Sequence, residues 1–133
     1  MNWLPNRKRE EPPILDHGYL ERLSRHIGMR ETRELMADGM IDLSDRLDVL
    51  ARLGASGPID EIGKLAHEIA GAAGHQGLSA MSRAAVEVAN LVREQPETPP
   101  DALTDRILQY RETSLDALSE FCNSEYPADV KSG

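Results

Sequence analysis

Apolar positions recur along this chain in steps of three and four, the spacing that gathers side chains on one face of an α-helix. Tyr19, Leu20, Leu23 and Ile27 form the first stripe. They predict a helix from about 16 to 27, with Asp16 as its cap and Gly28 just past its end. Met36, Met40, Leu43, Leu47 and Leu50 predict a second helix from about 30 to 53. "GASGP", residues 54 to 58, reads as a turn. Pro58 suits the first position of a third helix, and Asp60 and Glu61 suit the positive end of its dipole. That helix runs to about 75, where Gly77 can close it. Leu78, Met81, Ala85, Val88 and Val92 predict a fourth helix over about 78 to 94. "EQPETPP" interrupts the chain. Thr98 as cap and Pro99 as first helical residue then open a fifth helix over about 99 to 122. It carries Leu103, Ile107, Tyr110, Leu115, Leu118 and Phe121.

No segment alternates as a strand would. The fold class is therefore all-α, and short loops between amphipathic helices imply an antiparallel up-and-down bundle. Residues 1–13 and 123–133 are polar or proline-bearing and read as tails around one helical domain, 14–122. The 133 residues suit a single domain, and 40% apolar content is enough to fill its core.

Charge narrows the partners. The formal net charge is −8, the wrong sign for a nucleic-acid binder or for an anionic membrane surface. No apolar run reaches the length of about 20 that spans a bilayer. "MNWLPNRKREEPP" lacks the apolar centre of a signal peptide, and Cys122 is the single cysteine, so no internal disulfide can form. A cytoplasmic protein is expected.

The stretch "KLAHEIAGAAGHQG", residues 64 to 77, does not fit a purely structural helix. With His67 at zero on the helical wheel, Leu65 falls at about 160°, Ile69 at about 200° and Ile62 at about 220°. The buried face is nearly opposite the imidazole. Beside it lie Gly71 at about +40°, Gly74 at about −20°, Lys64 at about +60° and Ala70 at about −60°. A helical glycine costs about 1 kcal/mol relative to alanine, and on a solvent face it gains no packing in return. One reading is an ordinary surface histidine near a fraying helix end. The other is a helix kept bare so that a second molecule can approach the ring. A metal site has less support, because His67 and His75 lack a third ligand at helical spacing. No nucleophile triad, phosphate-cradling loop or dinucleotide fingerprint is present.

"LAHEIAGAAGHQGL" resembles the central motif of histidine phosphotransfer (HPt) domains. The matching positions are His67, Gly71, Gly74 and Gly77, followed by Leu78. "ILDHGYLERLSRHIG" and "RELMADGMIDLSDRLDVLARL" resemble the family's first two helices, and the likeness spans about residues 14 to 120. The resemblance implies a four-helix bundle with an additional N-terminal helix. It implies that His67, through Nε2, carries a phosphoryl group between receiver domains of hybrid histidine kinases and response regulators. Lys64, Glu68, Ala70, Gly71, Gly74 and His75 would neighbour the phosphate or meet the partner. No cofactor is expected on this chain, since the Mg²⁺ would sit on the receiver, and Glu68 is expected to stand alone on the surface. A stand-alone, monomeric carrier is expected, an intermediate in transfer and not an autonomous kinase.

Two positions depart from the family pattern. Ala70 stands where many members carry a lysine, and Lys64 could act from the other side. Ala89 stands where a polar residue usually reaches the imidazole, and Ser82, Asn90 or Arg93 could take that role. Two other functions stay open: a helical adaptor that binds a receiver or kinase without taking phosphate, and a small helical enzyme or metal protein.

Overall fold

The computed structural model describes residues 11–124. These form helices and connecting turns with no strand. The helices are α1 (His17–Ile27), α2 (Met29–Ser56), α3 (Ile59–His75), α4 (Ser79–Glu94), α5 (Pro100–Leu108) and α6 (Arg111–Asn123). Cross-helix neighbours show how they run. Arg46 of α2 meets Glu68 of α3, and Gly39 further back on α2 lies against Gln76 just past α3. Gly63 near the start of α3 faces Val92 near the end of α4, while Gly74 faces Ser82. Gly54 faces Thr104, Asp48 pairs with Arg111, and the carbonyl of Arg33 meets Cys122. Each pairing is antiparallel, so α2, α3, α4 and the α5–α6 arm make the up-and-down bundle, with α1 laid against α2.

The predicted stripes supply the core. Leu20, Leu43, Leu47, Leu50, Ile62, Ile69, Met81, Leu103, Ile107 and Leu118 are fully buried. Each such side chain contributes about 2 kcal/mol relative to exposure. Ile27 departs from its stripe and is 40% exposed, because α1 ends beside it at Gly28, whose φ of 94° breaks the helical course. Asp16 caps α1 as expected, accepting from the Tyr19 amide at 3.0 Å.

Four predicted boundaries move. α2 continues through Gly54, Ala55 and Ser56, which were expected to turn. Gly54 is buried there, and a Cβ on it would lie 2.4 Å from Thr104 Oγ1, so the glycine serves close helix packing. Pro58 and Pro99 cap their helices from outside as extended residues, and Thr98 instead donates its hydroxyl to the Gln95 carbonyl. The expected fifth helix is split at Gln109 and Tyr110. There the Tyr110 amide bonds back only three residues, to Ile107, and the Gln109 side chain takes the Arg106 carbonyl. The expected tails lie mostly outside the described residues. Pro13, the last residue of the first one, already accepts from the Ala80 amide at 2.9 Å.

Candidate functional site: a histidine on an open helix face

His67 sits in the middle of α3 and is exposed. Ile62, Ala66, Ile69 and Ala73 are fully buried and anchor the opposite side of the helix. Their burial fixes α3 in rotation and therefore aims the imidazole outward. The ring makes no hydrogen bond or ion pair with any described residue.

The helix glycines divide into two kinds. Gly39, Gly54 and Gly63 lie where another helix comes close; at Gly63 a Cβ would stand 3.1 Å from Val92 Cγ1. At Gly71 a Cβ would meet nothing within 4 Å, and at Gly74 it would meet only Ser82 Oγ, at 3.4 Å. Packing within the chain therefore accounts for neither glycine beside His67. Both are exposed, as are Lys64, Glu68 and His75.

Glu68 does not stand alone, contrary to expectation. Its Oε1 accepts from Arg46 Nε at 3.3 Å, and Arg46 also pairs with Asp42 one turn earlier on α2. No local pattern of residues marks this contact, which depends on how α2 and α3 are registered. The hydrogen bond from Asp42 foremost raises the Arg46 guanidinium above its ordinary value; burial opposes this and Glu68 assists. Arg46 therefore remains a cation close to the histidine's neighbour.

Ala70 is half-buried, and its carbonyl accepts from Ser82 Oγ at 2.8 Å. Asn90 and Arg93 bond to each other at 2.7 Å. None of the three polar candidates opposite α3 reaches the imidazole. His75, the last residue of α3, is tied by its backbone: its carbonyl accepts from Tyr19 Oη at 2.8 Å. Tyr19 thus acts at this end of the site, although its place in the α1 stripe marked it only as a core residue. Gly77 has a φ of 76°, which favours glycine, and a Cβ there would press on Tyr19 at 3.1 Å.

Among the described residues no group of three or more histidine, cysteine or acidic side chains is placed to hold a metal ion. No described helix is long and apolar enough to cross a membrane. Cys122 on α6 donates to the Arg33 carbonyl at 3.7 Å, and its thiol is pushed up by burial.

The antiparallel bundle thus holds the His67 imidazole outward, without a hydrogen-bond partner among the described residues, on a helix face kept bare by Gly71 and Gly74. The family model of the Hpt domain matches residues 32–121, and the chain belongs to that family. It carries no cofactor of its own, takes part in histidine phosphotransfer within phosphorelays, and interacts with receiver domains of their components. No curated protein and no solved structure matches the chain.

Proposed function

We propose that His67 is the phosphoryl acceptor and that the chain relays the group between receiver aspartates in the cytoplasm. The observation that supports this most is the pairing of an outward imidazole with a glycine, Gly71, around which there is open space. Phosphoryl transfer depends on in-line approach and charge stabilisation. The attacking nitrogen must come within about 3 to 3.5 Å of phosphorus, which brings the partner's loops onto the surface of α3. Nε2 supplies the electron pair for the new N–P bond as the P–O bond to the receiver's aspartate breaks. The bonding pair leaves with that carboxylate. The ring keeps its Nδ1 proton or yields it to water. Return transfer to a second receiver reverses these steps. Lys64 is the cation on this helix nearest the acceptor in angle and can meet the phosphoryl oxygens, with Glu68, Ala70, Gly71, Gly74 and His75 under the docked partner. The receiver supplies the Mg²⁺, and the carrier works as a monomer.

The test is a transfer assay against a panel of phosphorylated receiver domains. Wild-type protein gains acid-labile phosphate from a cognate receiver and His67→Gln gains none. Equal labelling of the variant ends this reading. The imidazole's lack of a hydrogen-bond partner among the described residues favours one second reading, an adaptor that binds receivers without accepting phosphate. That reading requires binding unaffected by His67→Gln and no label on either protein.

A further inference from the structure

A groove of about 470 Å³ runs between α1, α2 and the C-terminal end of α3. His75 stands at its edge, about 12 Å along the helix from His67. Leu23, Leu35 and Met36 give it apolar walls, and Leu35 is left 51% exposed. Its other lining groups include Asp38, Asp42 and Gln76, which present acceptors. Asp42 shares its charge with Arg46, whereas Asp38 is unpaired among the described residues.

Gln76 is only 5% exposed, yet its Oε1 has no hydrogen-bond partner among the described residues. Its amide lies over the bare backbone of Gly39: a Cβ there would lie 1.6 Å from Gln76 Nε2 and would push the amide aside. Gly39 lies within α2, where glycine weakens a helix. Two unfavourable choices, a mid-helix glycine and an unmet buried acceptor, thus converge in one groove. Both are accounted for if a ligand brings a donor to the amide.

We propose that this groove receives one basic side chain, lysine or arginine, from the receiver domain that docks over His67. A long methylene stem suits the Leu23, Leu35 and Met36 walls, and a charged head suits Asp38 and the Gln76 carbonyl oxygen. Short neutral donors match the acceptors but leave the apolar walls uncovered. The inference rests on the reading of His67 as the centre of docking and adds what the partner must carry beside its aspartate.

The test uses the full chain, ¹⁵N-labelled, and the receiver domain that labels it in the transfer panel. At saturation the Gln76 side-chain amide and the Gly39 backbone amide shift. Asp38→Lys raises the Kd about tenfold, while Glu87→Lys, the same charge change on α4 away from the groove, leaves it within about twofold. Phosphoramidate, a small donor that needs no docking surface, labels Asp38→Lys and wild type equally. Equal weakening by the two lysine variants, or a Gln76 amide that stays put at saturation, overturns the groove assignment while His67 keeps its role. A Gln76 shift on replacing Arg7, Lys8 and Arg9 by glutamine, with no receiver present, would place this chain's own segment in the groove and also overturn it. Failure of phosphoramidate and every receiver to label His67 in wild type removes the parent reading, and the groove proposal with it.

Discussion

Arg46 of α2 and Glu68 of α3 are joined at 3.3 Å, one residue beyond His67. The contact ties the outer edge of the histidine's helix to its neighbour on the groove side. Both side chains are substantially exposed, 32% and 57%, so the pair is a modest tie. Glu68→Ala should lower unfolding free energy by about 0.2–1 kcal/mol, and the loss should shrink as salt screens the pair. Urea titrations at low and high ionic strength measure it. A loss that does not change with salt would show that Glu68 acts by packing.

Gly71 separates stability from function. A Cβ there meets nothing, and the residue is in regular helix, so Gly71→Ala should stabilise the fold by about 0.5–1 kcal/mol. A larger side chain at the same place, Gly71→Leu, should keep or raise the melting temperature and cut transfer from a receiver at least about tenfold through steric exclusion. Thermal melts and the transfer assay on the same samples give both numbers. Undiminished transfer to Gly71→Leu would mean that partners do not close over this part of α3.

Gly54 should behave in the opposite way. Its missing side chain is where Thr104 fits, with Oγ1 2.4 Å and Cβ 3.3 Å from the added carbon. Overpacking costs about 1–3 kcal/mol, more than the gain in helix propensity. Gly54→Ala should therefore lower the urea midpoint, and Thr104→Ala should recover part of the loss in the double variant. Additive losses would show that the two sites do not share a contact.

Cys122 gives a pH dependence of known sign. Burial pushes its thiol up, so the folded state holds the proton more tightly than the unfolded chain does. The stability linked to it is complete below the unfolded thiol's value. It declines as pH rises from there through the folded value. Wild type should lose more stability than Cys122→Ala between neutral and alkaline pH, read from urea midpoints. Thiol-directed reagents should label the folded protein more slowly than the urea-unfolded chain. Identical pH profiles would contradict the burial effect.

The outward aim of His67 was legible because α-helical geometry fixes the angle between residues, and Ile62 and Ile69 declare the inner face without reference to any other helix. The capping of α1 by Asp16 was legible for the same reason: both groups lie within one turn. Contacts made across helices were not. Glycine reads as a turn former from local preference, which places Gly54 in a loop, although it lies within α2 and packs against Thr104 on a distant segment. The partner of Glu68 is not legible locally, because Arg46 lies 22 positions away and becomes its neighbour only after α2 and α3 align. The groove under Gln76 needs three helices in place before it exists. At the break between α5 and α6 the Gln109 side chain caps its own chain, a local detail that no periodicity records.

Three bonds sew the leading segment to the corner where α3 becomes α4: Tyr19 Oη to the His75 carbonyl, the Asp16 amide to Gly77, and the Ala80 amide to Pro13. The matched family segment begins at residue 32, inside α2, and so omits that seam. A shortened polypeptide covering 32–121 would keep the histidine and forfeit the brace at the end of its helix. Swapping leading segments between related carriers would, by the same logic, retune the geometry offered to a visitor without touching a single residue that the phosphoryl group meets.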